Sequence, residues 1–234
     1  MAIAIKGDTS SALKRYAHKV YWLGLDEFSS MFSIFKAEGV TKVVMAGQVS
    51  PRRLFSKEVQ QDAGLRSLLG GIKNKKADAI FGAIAEKLEG AGLELLGSTT
   101  FIEDLLAKKG TLSKRKPGFS EWEDAYFGLE LAKAVAYLDI GQTVAVKDKA
   151  IVAVEAMEGT DNLIRRAGKI AKKGVTVVKV SKPKQDLRFD IPVVGFNTMR
   201  NIVSSGVTCL AIEAGKTIFI DKENLPQPLV NRLI

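Results

Sequence analysis

Short apolar runs alternate with segments of helical spacing through the first half of this chain, and this alternation is what most restricts its fold. The predicted strands are Ala2–Lys6, Val20–Leu23, Lys42–Ala46 and Leu93–Leu96. The predicted helices are Asp26–Ala37, Lys57–Leu69, Ala77–Leu88 and a short one at Phe101–Lys108. Because strands that alternate with helices form a parallel sheet with helices on its faces, the sequence predicts the α/β class.

A long helix is predicted over Ser120–Leu138, and the pattern changes after it. Ser120 and Glu123 have the spacing of a capping box at its start. The later predicted elements are the strands Thr143–Lys147, Ile151–Glu155, Val175–Val180, Val207–Ile212 and Lys216–Ile220, and the helices Asp161–Lys173, Asn197–Ser205 and Asn224–Leu233. We therefore expect two domains, residues 1–138 and 139–234, the second with a mixed α/β fold.

The first two strands of the second half are separated only by Asp148-Lys149. This spacing predicts a β-hairpin, although the glycine that such turns favour is missing.

The chain contains one histidine, His18, and one cysteine, Cys209. A zinc site built on several Cys or His ligands is therefore excluded, as is an internal disulfide. Cys209 lies in the apolar run VTCLAIE, which is typical of a core residue. With no apolar run of bilayer length and no signal-peptide pattern, the sequence predicts a cytoplasmic protein. Any metal ion would be held mainly by oxygen, which favours Mg²⁺, Mn²⁺ or Ca²⁺.

A formal net charge of +9 indicates an anionic partner such as a nucleotide, a nucleic acid or a membrane headgroup. The lysines that could form a basic patch are Lys172, Lys173, Lys179, Lys182 and Lys184. Aromatic residues are nearly absent among them and no known nucleic-acid motif occurs, so a solvated basic face explains them better. A basic nucleic-acid-binding module stays an alternative.

Acidic residues and small residues meet at Glu158-Gly159-Thr160-Asp161, where a helix begins. Gly159 or Thr160 would cap this helix, and its free amides form a natural site for phosphate or carboxylate. Arg165, one turn later, could add a forked grip on such an anion. The alternative is an ordinary helix cap with acids that complement the helix dipole and arginines in water.

The segment Lys182–Pro192 carries a second set of polar residues. In an extended chain Asp186, Arg188 and Asp190 share one face, where two carboxylates flanking a guanidinium could bind a divalent ion beside a phosphate. The alternative is a strand with a salt-bridged solvent face. Gln185 and the adjoining lysines favour a functional site.

These segments together resemble one family, the UDP-2,3-diacylglucosamine pyrophosphatases of the LpxI type in lipid A biosynthesis. The motifs that carry the resemblance are AGQVSP (46–51), DIGQTVAVKD (139–148), AVEAMEGTD (153–161), IRRAG (164–168), KPKQDLRFDIPVVG (182–195), Thr198 and EAGKT (213–217). The resemblance covers nearly the whole chain.

The resemblance implies Mg²⁺-dependent hydrolysis of the pyrophosphate in UDP-2,3-diacylglucosamine, giving UMP and 2,3-diacylglucosamine 1-phosphate. It implies that Asp190 is the catalytic aspartate, that the Rossmann-like first domain pairs in a homodimer, and that the second domain holds the substrate. Peripheral contact with the inner membrane is expected, because the product is a lipid. Family members usually begin with a further strand, a glycine-rich loop and a helix, so we expect a reduced first domain here.

The predicted roles follow from the residue types. Asp190 is expected to act as metal ligand or activator of water, with Asp186 as second metal ligand and Glu158 as a further acidic candidate. The residues expected to neutralise or hydrogen-bond the substrate are Gly159, Thr160, Asp161, Arg165, Lys179, Lys182, Gln185 and Arg188. A nucleotide-sugar-binding protein without catalysis would keep these phosphate contacts without needing Asp190, and it stays an alternative to the hydrolase.

Overall fold

The computed structural model describes residues 1–47, 53, 57–72, 77–183 and 185–222, and within these ranges helices alternate with strands. The strands are β1 Ala2–Ile5, β2 Val20–Leu23, β3 Lys42–Val44, β4 Glu94–Leu96, β5 Thr143–Lys147, β6 Ala150–Val154, β7 Val175–Lys179, β8 Val193–Val194, β9 Val207–Ile212 and β10 Ile218–Phe219. The α-helices are α1 Ser30–Ala37, α2 Lys57–Gln61, α3 Ala63–Gly71, α4 Ala77–Gly90, α5 Phe119–Tyr137, α6 Thr160–Ala171 and α7 Phe196–Ser204. The predicted helix Asn224–Leu233 lies outside the described residues. The α/β class is confirmed.

The chain divides into two compact units, Met1–Thr100 and Phe101–Ile234. In the first unit β1 pairs in parallel with β2, and β3 in parallel with β4. Its apolar cluster contains Leu25, Phe28, Val59 and Leu65, all buried. Burial of these side chains holds α2 and α3 against the turn before α1. The Rossmann-like arrangement of this unit stays a prediction.

The second unit is built on a four-stranded mixed sheet in the order β6-β5-β7-β9. β5 is antiparallel to both β6 and β7, whereas β7 and β9 are parallel. β8 and β10 form a separate parallel pair. This mixture agrees with the mixed α/β fold expected for the second domain.

The sheet of the second unit is covered by helices on both faces. Val144 and Val146 of β5 pack in one apolar cluster with Ala132 and Ala136 of α5. Ala145, between them in sequence, packs in the other cluster with residues of α6 and α7. Because successive strand residues point to opposite faces, β5 contributes side chains to both apolar clusters. β5 is consequently buried along most of its length.

Helix α5 belongs to the second unit because it packs on β5 and β7. The division of the structure therefore lies after Thr100, whereas the sequence predicted it after residue 138. Gly128 permits this packing, since a Cβ there would lie 2.6 Å from Val178 and 2.9 Å from Val146. Helix α5 begins at Phe119 rather than at Ser120, and Glu121 accepts the N–H of Gly118 at 2.8 Å.

The predicted hairpin is confirmed, with Asp148 and Lys149 alone between β5 and β6. Both residues have positive φ, 51° and 57°, as a type I′ turn requires. The buried carboxylate of Asp124 accepts both of their N–H groups, at 3.1 and 2.7 Å. These two hydrogen bonds stabilise the turn, which therefore forms without glycine.

A predicted helix and a predicted strand are much shorter in the structure. Only Glu103–Leu105 of the predicted helix Phe101–Lys108 is helical, as a 3₁₀ turn, and the strand predicted over Lys216–Ile220 is limited to β10. Among the described residues, no helix is both long and apolar enough to cross a bilayer.

Candidate functional site

The loop between β7 and β8 folds back on itself instead of running extended. The N–H of Gln185 donates to the carbonyl of Lys182, and the N–H of Phe189 donates to that of Asp186, each at 3.2 Å. Asp186 and Arg188 therefore form an ion pair inside a turn, with Nη2 and Oδ2 2.7 Å apart. The prediction that Asp186, Arg188 and Asp190 line one face of an extended strand is wrong. The hydrogen bonds from Arg188 lower the pKa of Asp186.

Asp190 is held at the end of this loop by predicted site residues. Its Oδ2 lies 3.1 Å from Nζ of Lys182, and its carbonyl accepts from Nε2 of Gln185 at 2.6 Å. The Oε1 of Gln185 in turn accepts the N–H of Lys182 at 3.0 Å. Gln185 thus ties the two ends of the loop together. Asp190 has φ +57°, a left-handed conformation that is uncommon for any residue other than glycine.

Residues that follow α5 complete the surroundings of Asp190. Asp139 Oδ1 lies 2.7 Å from Nζ of Lys182, whose side chain is only 10% exposed. Gln142 Nε2 donates to Oδ2 of Asp190 at 3.5 Å. Because β5 lies beside β7 in the sheet, the chain entering β5 meets the loop that leaves β7.

A second cluster centres on Thr160, the first residue of α6. Its hydroxyl donates to Oε1 of the buried Glu155 at 2.9 Å and accepts from Nζ of Lys179 at 3.0 Å. Lys179 also donates to the carbonyl of Val193 at 3.0 Å. Gln142 joins this cluster to Asp190, since its backbone N–H donates to Oε2 of Glu155 at 3.1 Å. The two clusters are therefore one continuous polar network.

Lys179 is the cation at the centre of this network. Its desolvation lowers the pKa of the ammonium, and the negative charges of Glu155, Asp161 and Asp190 oppose that shift. The three carboxylates therefore surround Lys179 closely enough to interact with its charge.

The oxygen atoms of this network suit a hard cation. Together with Asp139 the network holds four carboxylates against the two ammonium groups of Lys179 and Lys182. Asp161 Oδ1 and Gln142 Oε1 are buried, and neither has a hydrogen-bond partner among the described residues. No three His, Cys, Asp or Glu side chains are grouped as a metal cage within the described ranges. Mg²⁺ typically needs only one or two carboxylates, with water and substrate phosphates completing its coordination, so the donor set fits this ion.

Three other predicted residues make contacts of a different kind. Glu158 is exposed and pairs with Arg166. Its pKa is lowered chiefly by a backbone hydrogen bond, with Arg166 contributing. Arg165 donates to Asn201 at 3.0 Å and to Asn162 at 2.7 Å. Gly159, with φ +80°, precedes α6 as its N-cap. The contacts of Glu158 and Arg165 thus match the ordinary helix-cap alternative, and their predicted roles stay predictions.

Four residues of the network are not among the predicted site residues. They are Asp139, Gln142, Thr143 and Glu155, of which Thr143 contacts the hydroxyl of Thr160 at 3.2 Å. The signal was present, because the first three lie in the segment DIGQT, which contributes to the family resemblance. Glu155 follows the last residue of β6 and precedes the acidic turn.

Glu213 holds the start of the β7–β8 loop through hydrogen bonds. Its Oε2 accepts from Nζ of Lys133 at 2.6 Å, and from the N–H and hydroxyl of Ser181 at 2.6 and 2.8 Å. Burial raises the pKa of Glu213, but these hydrogen bonds outweigh it and the pKa is lowered. An ionised Glu213 therefore anchors Ser181, the neighbour of Lys182.

Comparisons with known proteins agree with this division and with the predicted family. The model of the LpxI N-terminal domain matches residues 1–105, and the model of the LpxI C-terminal domain matches residues 108–229. The UDP-2,3-diacylglucosamine pyrophosphatase LpxI of Caulobacter vibrioides is 31% identical over 211 residues, which is 86% of this chain and 75% of the relative. The polar network lies entirely within the part matched by the C-terminal model.

Proposed function

This chain belongs to the LpxI family, and we propose that it hydrolyses the pyrophosphate bond of UDP-2,3-diacylglucosamine. Water adds to one phosphorus and the bridging P–O bond breaks, so the products are UMP and 2,3-diacylglucosamine 1-phosphate. The observation that carries the proposal is the setting of Asp190, whose carboxylate is held by Lys182 and Gln142. The name of the Caulobacter relative supports the choice of substrate.

The network supplies the groups that this reaction needs. The ammonium groups of Lys179 and Lys182 neutralise charge on the pyrophosphate, and Asp190 orients the attacking water and accepts its proton. Gly159 and Thr160 place the N-terminus of α6 beside Lys179, where its amides can hydrogen-bond an anion. We propose direct attack by water on the pyrophosphate, with the two ammonium groups stabilising the charge that develops.

A bound Mg²⁺ would neutralise the pyrophosphate further and polarise the P–O bond that breaks. Asp190 would hold it, and Asp161 would be the next carboxylate of the network, because Asp161 Oδ1 is buried and has no partner within the described part of the chain. Asp186, the other predicted metal ligand, would join only if its ion pair with Arg188 opened. Glu158 remains a further acidic candidate at the edge of the site.

The cellular setting is part of the same proposal. We expect a homodimer that pairs through the first domain, and a cytoplasmic protein that meets the inner membrane peripherally. These expectations derive from the family resemblance and from the lipid product. Size-exclusion chromatography with light scattering measures the first, and co-sedimentation with phospholipid vesicles measures the second.

The decisive experiment measures UMP release from UDP-2,3-diacylglucosamine with Mg²⁺ and with EDTA. We expect Mg²⁺-dependent release that falls by at least about a hundredfold in Asp190→Asn, the loss typical of removing a general base. Asp148→Asn is the matched control, since Asp148 is also an aspartate with positive φ but is exposed at the opposite end of β5. It should leave the rate unchanged.

The other outcomes separate the alternatives. A chain that binds UDP-2,3-diacylglucosamine without releasing UMP would be a nucleotide-sugar-binding protein. A chain with little affinity for that ligand, but with salt-sensitive binding to nucleic acid, would be the basic module. Equal rates for the wild type and Asp190→Asn would remove Asp190 from the mechanism.

A further inference from the structure

Helix α5 ends in a conformation that favours glycine, yet the chain has an aspartate there. The N–H of Asp139 donates to the carbonyl of Ala136 at 3.1 Å, and the N–H of Ile140 donates to that of Val135 at 3.2 Å. This pair of hydrogen bonds is a Schellman motif, in which the residue after the C-cap is left-handed and is usually glycine. Asp139 occupies that position with φ +56°. Its carboxylate is therefore present at a conformational cost.

The carboxylate of Asp139 is directed to Lys182. The Nζ–Oδ1 distance is 2.7 Å, and the two side chains are only 10% and 19% exposed. The same ammonium lies 3.1 Å from Oδ2 of Asp190, which is also left-handed. Two aspartates in an uncommon backbone conformation thus meet on one nearly buried cation. Asp139 makes the shorter of the two contacts.

We propose that Asp139 is a positioning residue. It acts as the fixed counter-ion of the Lys182 ammonium and holds this group beside Asp190, so that Asp190 does not itself have to neutralise Lys182. This inference rests on the proposed function for its catalytic consequence. The structural part of the inference, that Asp139 holds Lys182 in place, is independent of the proposed function. Asp139 contacts Lys182 through the end of a helix, so its position is set by α5 rather than by the β7–β8 loop.

Loss of the Asp139 charge draws the ammonium toward Asp190, because that carboxylate is already within 3.1 Å. Asp190 is then held in a closer ion pair and is less able to orient water. We expect kcat to fall by about tenfold to a hundredfold, the usual effect of a small misplacement at a reacting centre. KM should change less than about threefold, because Asp139 acts through Lys182 rather than on the substrate.

The test compares Asp139→Asn with Asp139→Gly in the full chain, assayed for UMP release with Mg²⁺. Glycine suits the left-handed position better than aspartate, so this variant folds even if the asparagine variant does not. If Asp139 served only to end the helix, both variants would keep the wild-type kcat. A fall of kcat in both, with KM preserved, supports positioning, and an unchanged kcat in Asp139→Gly overturns it. Asp148→Asn is again the control.

A second arm does not depend on turnover. Melting temperatures are measured for Asp139→Asn, for Lys182→Met and for the double variant. If Asp139 anchors Lys182, the shift of the double variant is smaller than the sum of the single shifts. Additive shifts overturn the inference whatever the activity. If the wild type releases no UMP, the proposed function fails, and the coupling of the melting temperatures alone decides whether Asp139 holds Lys182.

Discussion

The backbone N–H of Gln142 donates a hydrogen bond of 3.1 Å to Oε2 of the buried Glu155. The other oxygen of Glu155 accepts from the hydroxyl of Thr160, which in turn accepts from Lys179. Replacement of Glu155 by Gln removes a buried negative charge and turns one acceptor into a donor. We expect the free energy of unfolding to fall by about 1–3 kcal/mol, as when a buried hydrogen-bonded group loses its partner. Urea unfolding measures it.

The same variant should also lower kcat/KM for UMP release, because Thr160 and Lys179 lose the group that fixes them. Glu130→Gln is the control, since Glu130 is an exposed glutamate on α5. Its free energy of unfolding should change by less than about 0.5 kcal/mol, as at most surface positions. A Glu155→Gln variant as stable and as active as this control would show that the network is not a unit.

Gln185 offers a test of the β7–β8 loop. Its side chain donates to the carbonyl of Asp190 at 2.6 Å and accepts the N–H of Lys182 at 3.0 Å. Gln185→Ala loses both hydrogen bonds, so Asp190 loses a restraint on its left-handed conformation. We expect kcat to fall by about tenfold or more, as for a misplaced catalytic group. Steady-state kinetics measure this loss.

Leu187→Ala is the control for Gln185, because Leu187 is an exposed residue of the same loop. It should retain the wild-type kcat. If both variants lost kcat equally, the loop would act as a whole and the two hydrogen bonds of Gln185 would have no special role.

The sequence correctly predicted those features of the fold and the site that depend on residues close together in the chain. Strands β2 and β9 have their predicted bounds, because a short apolar run defines a strand locally. Lys182, Gln185 and Asp190 were predicted as one cluster, and they meet because one short loop contains them all.

What the sequence did not predict depends on topology. Gln142 reaches Asp190, and Asp139 reaches Lys182, only because β5 lies beside β7. The order of strands leaves no trace in local periodicity. The relation of Asp186 to Arg188 was predicted wrongly because residues two apart share a face in a strand but pair directly in a turn. The division of the chain differs for a similar reason, since only packing shows that α5 covers β5 and β7.

The surroundings of Glu121 allow a prediction of how the free energy of unfolding changes at acid pH. Burial raises the pKa of Glu121, but the hydrogen bonds from Arg115 and Gly118 outweigh it, so the pKa is lowered. A lowered carboxyl pKa contributes stability above the unfolded pKa, and this contribution is lost as the pH falls through the folded pKa. Glu121→Gln should therefore be less stable than the wild type at pH 7, by about 1 kcal/mol given that Arg115 is partly exposed. The difference should shrink as the pH falls below the unfolded glutamate pKa of about 4.3. Urea unfolding of the wild type and of Glu121→Gln across this pH range measures the difference in their free energies of unfolding.

Glu123→Gln is the matched control for Glu121. Glu123 lies on the same helix and pairs with Lys149 at 2.6 Å, but both side chains are exposed. An exposed pair contributes little, so this variant should follow the wild-type pH profile within about 0.5 kcal/mol. A profile for Glu121→Gln that also followed the wild type would mean that the Arg115 contact does not stabilise the fold.

Gly128 tests the packing of α5, which places Asp139 at the site. A Cβ at this position would lie 2.6 Å from Cγ2 of Val178 and 2.9 Å from Cγ2 of Val146, closer than such atoms approach. Helix propensity favours alanine by up to about 1 kcal/mol, but overpacking a core costs about 1–3 kcal/mol, so the clash should dominate. We expect Gly128→Ala to lower the melting temperature and also kcat, since α5 must move away from the sheet. Gly82→Ala is the control, because among the described residues no atom beyond its own helix lies within 4 Å of a Cβ there, so the variant should be as stable as the wild type or more so. If Gly128→Ala behaved like Gly82→Ala, α5 would not be packed on β5 and β7 as closely as the structure shows.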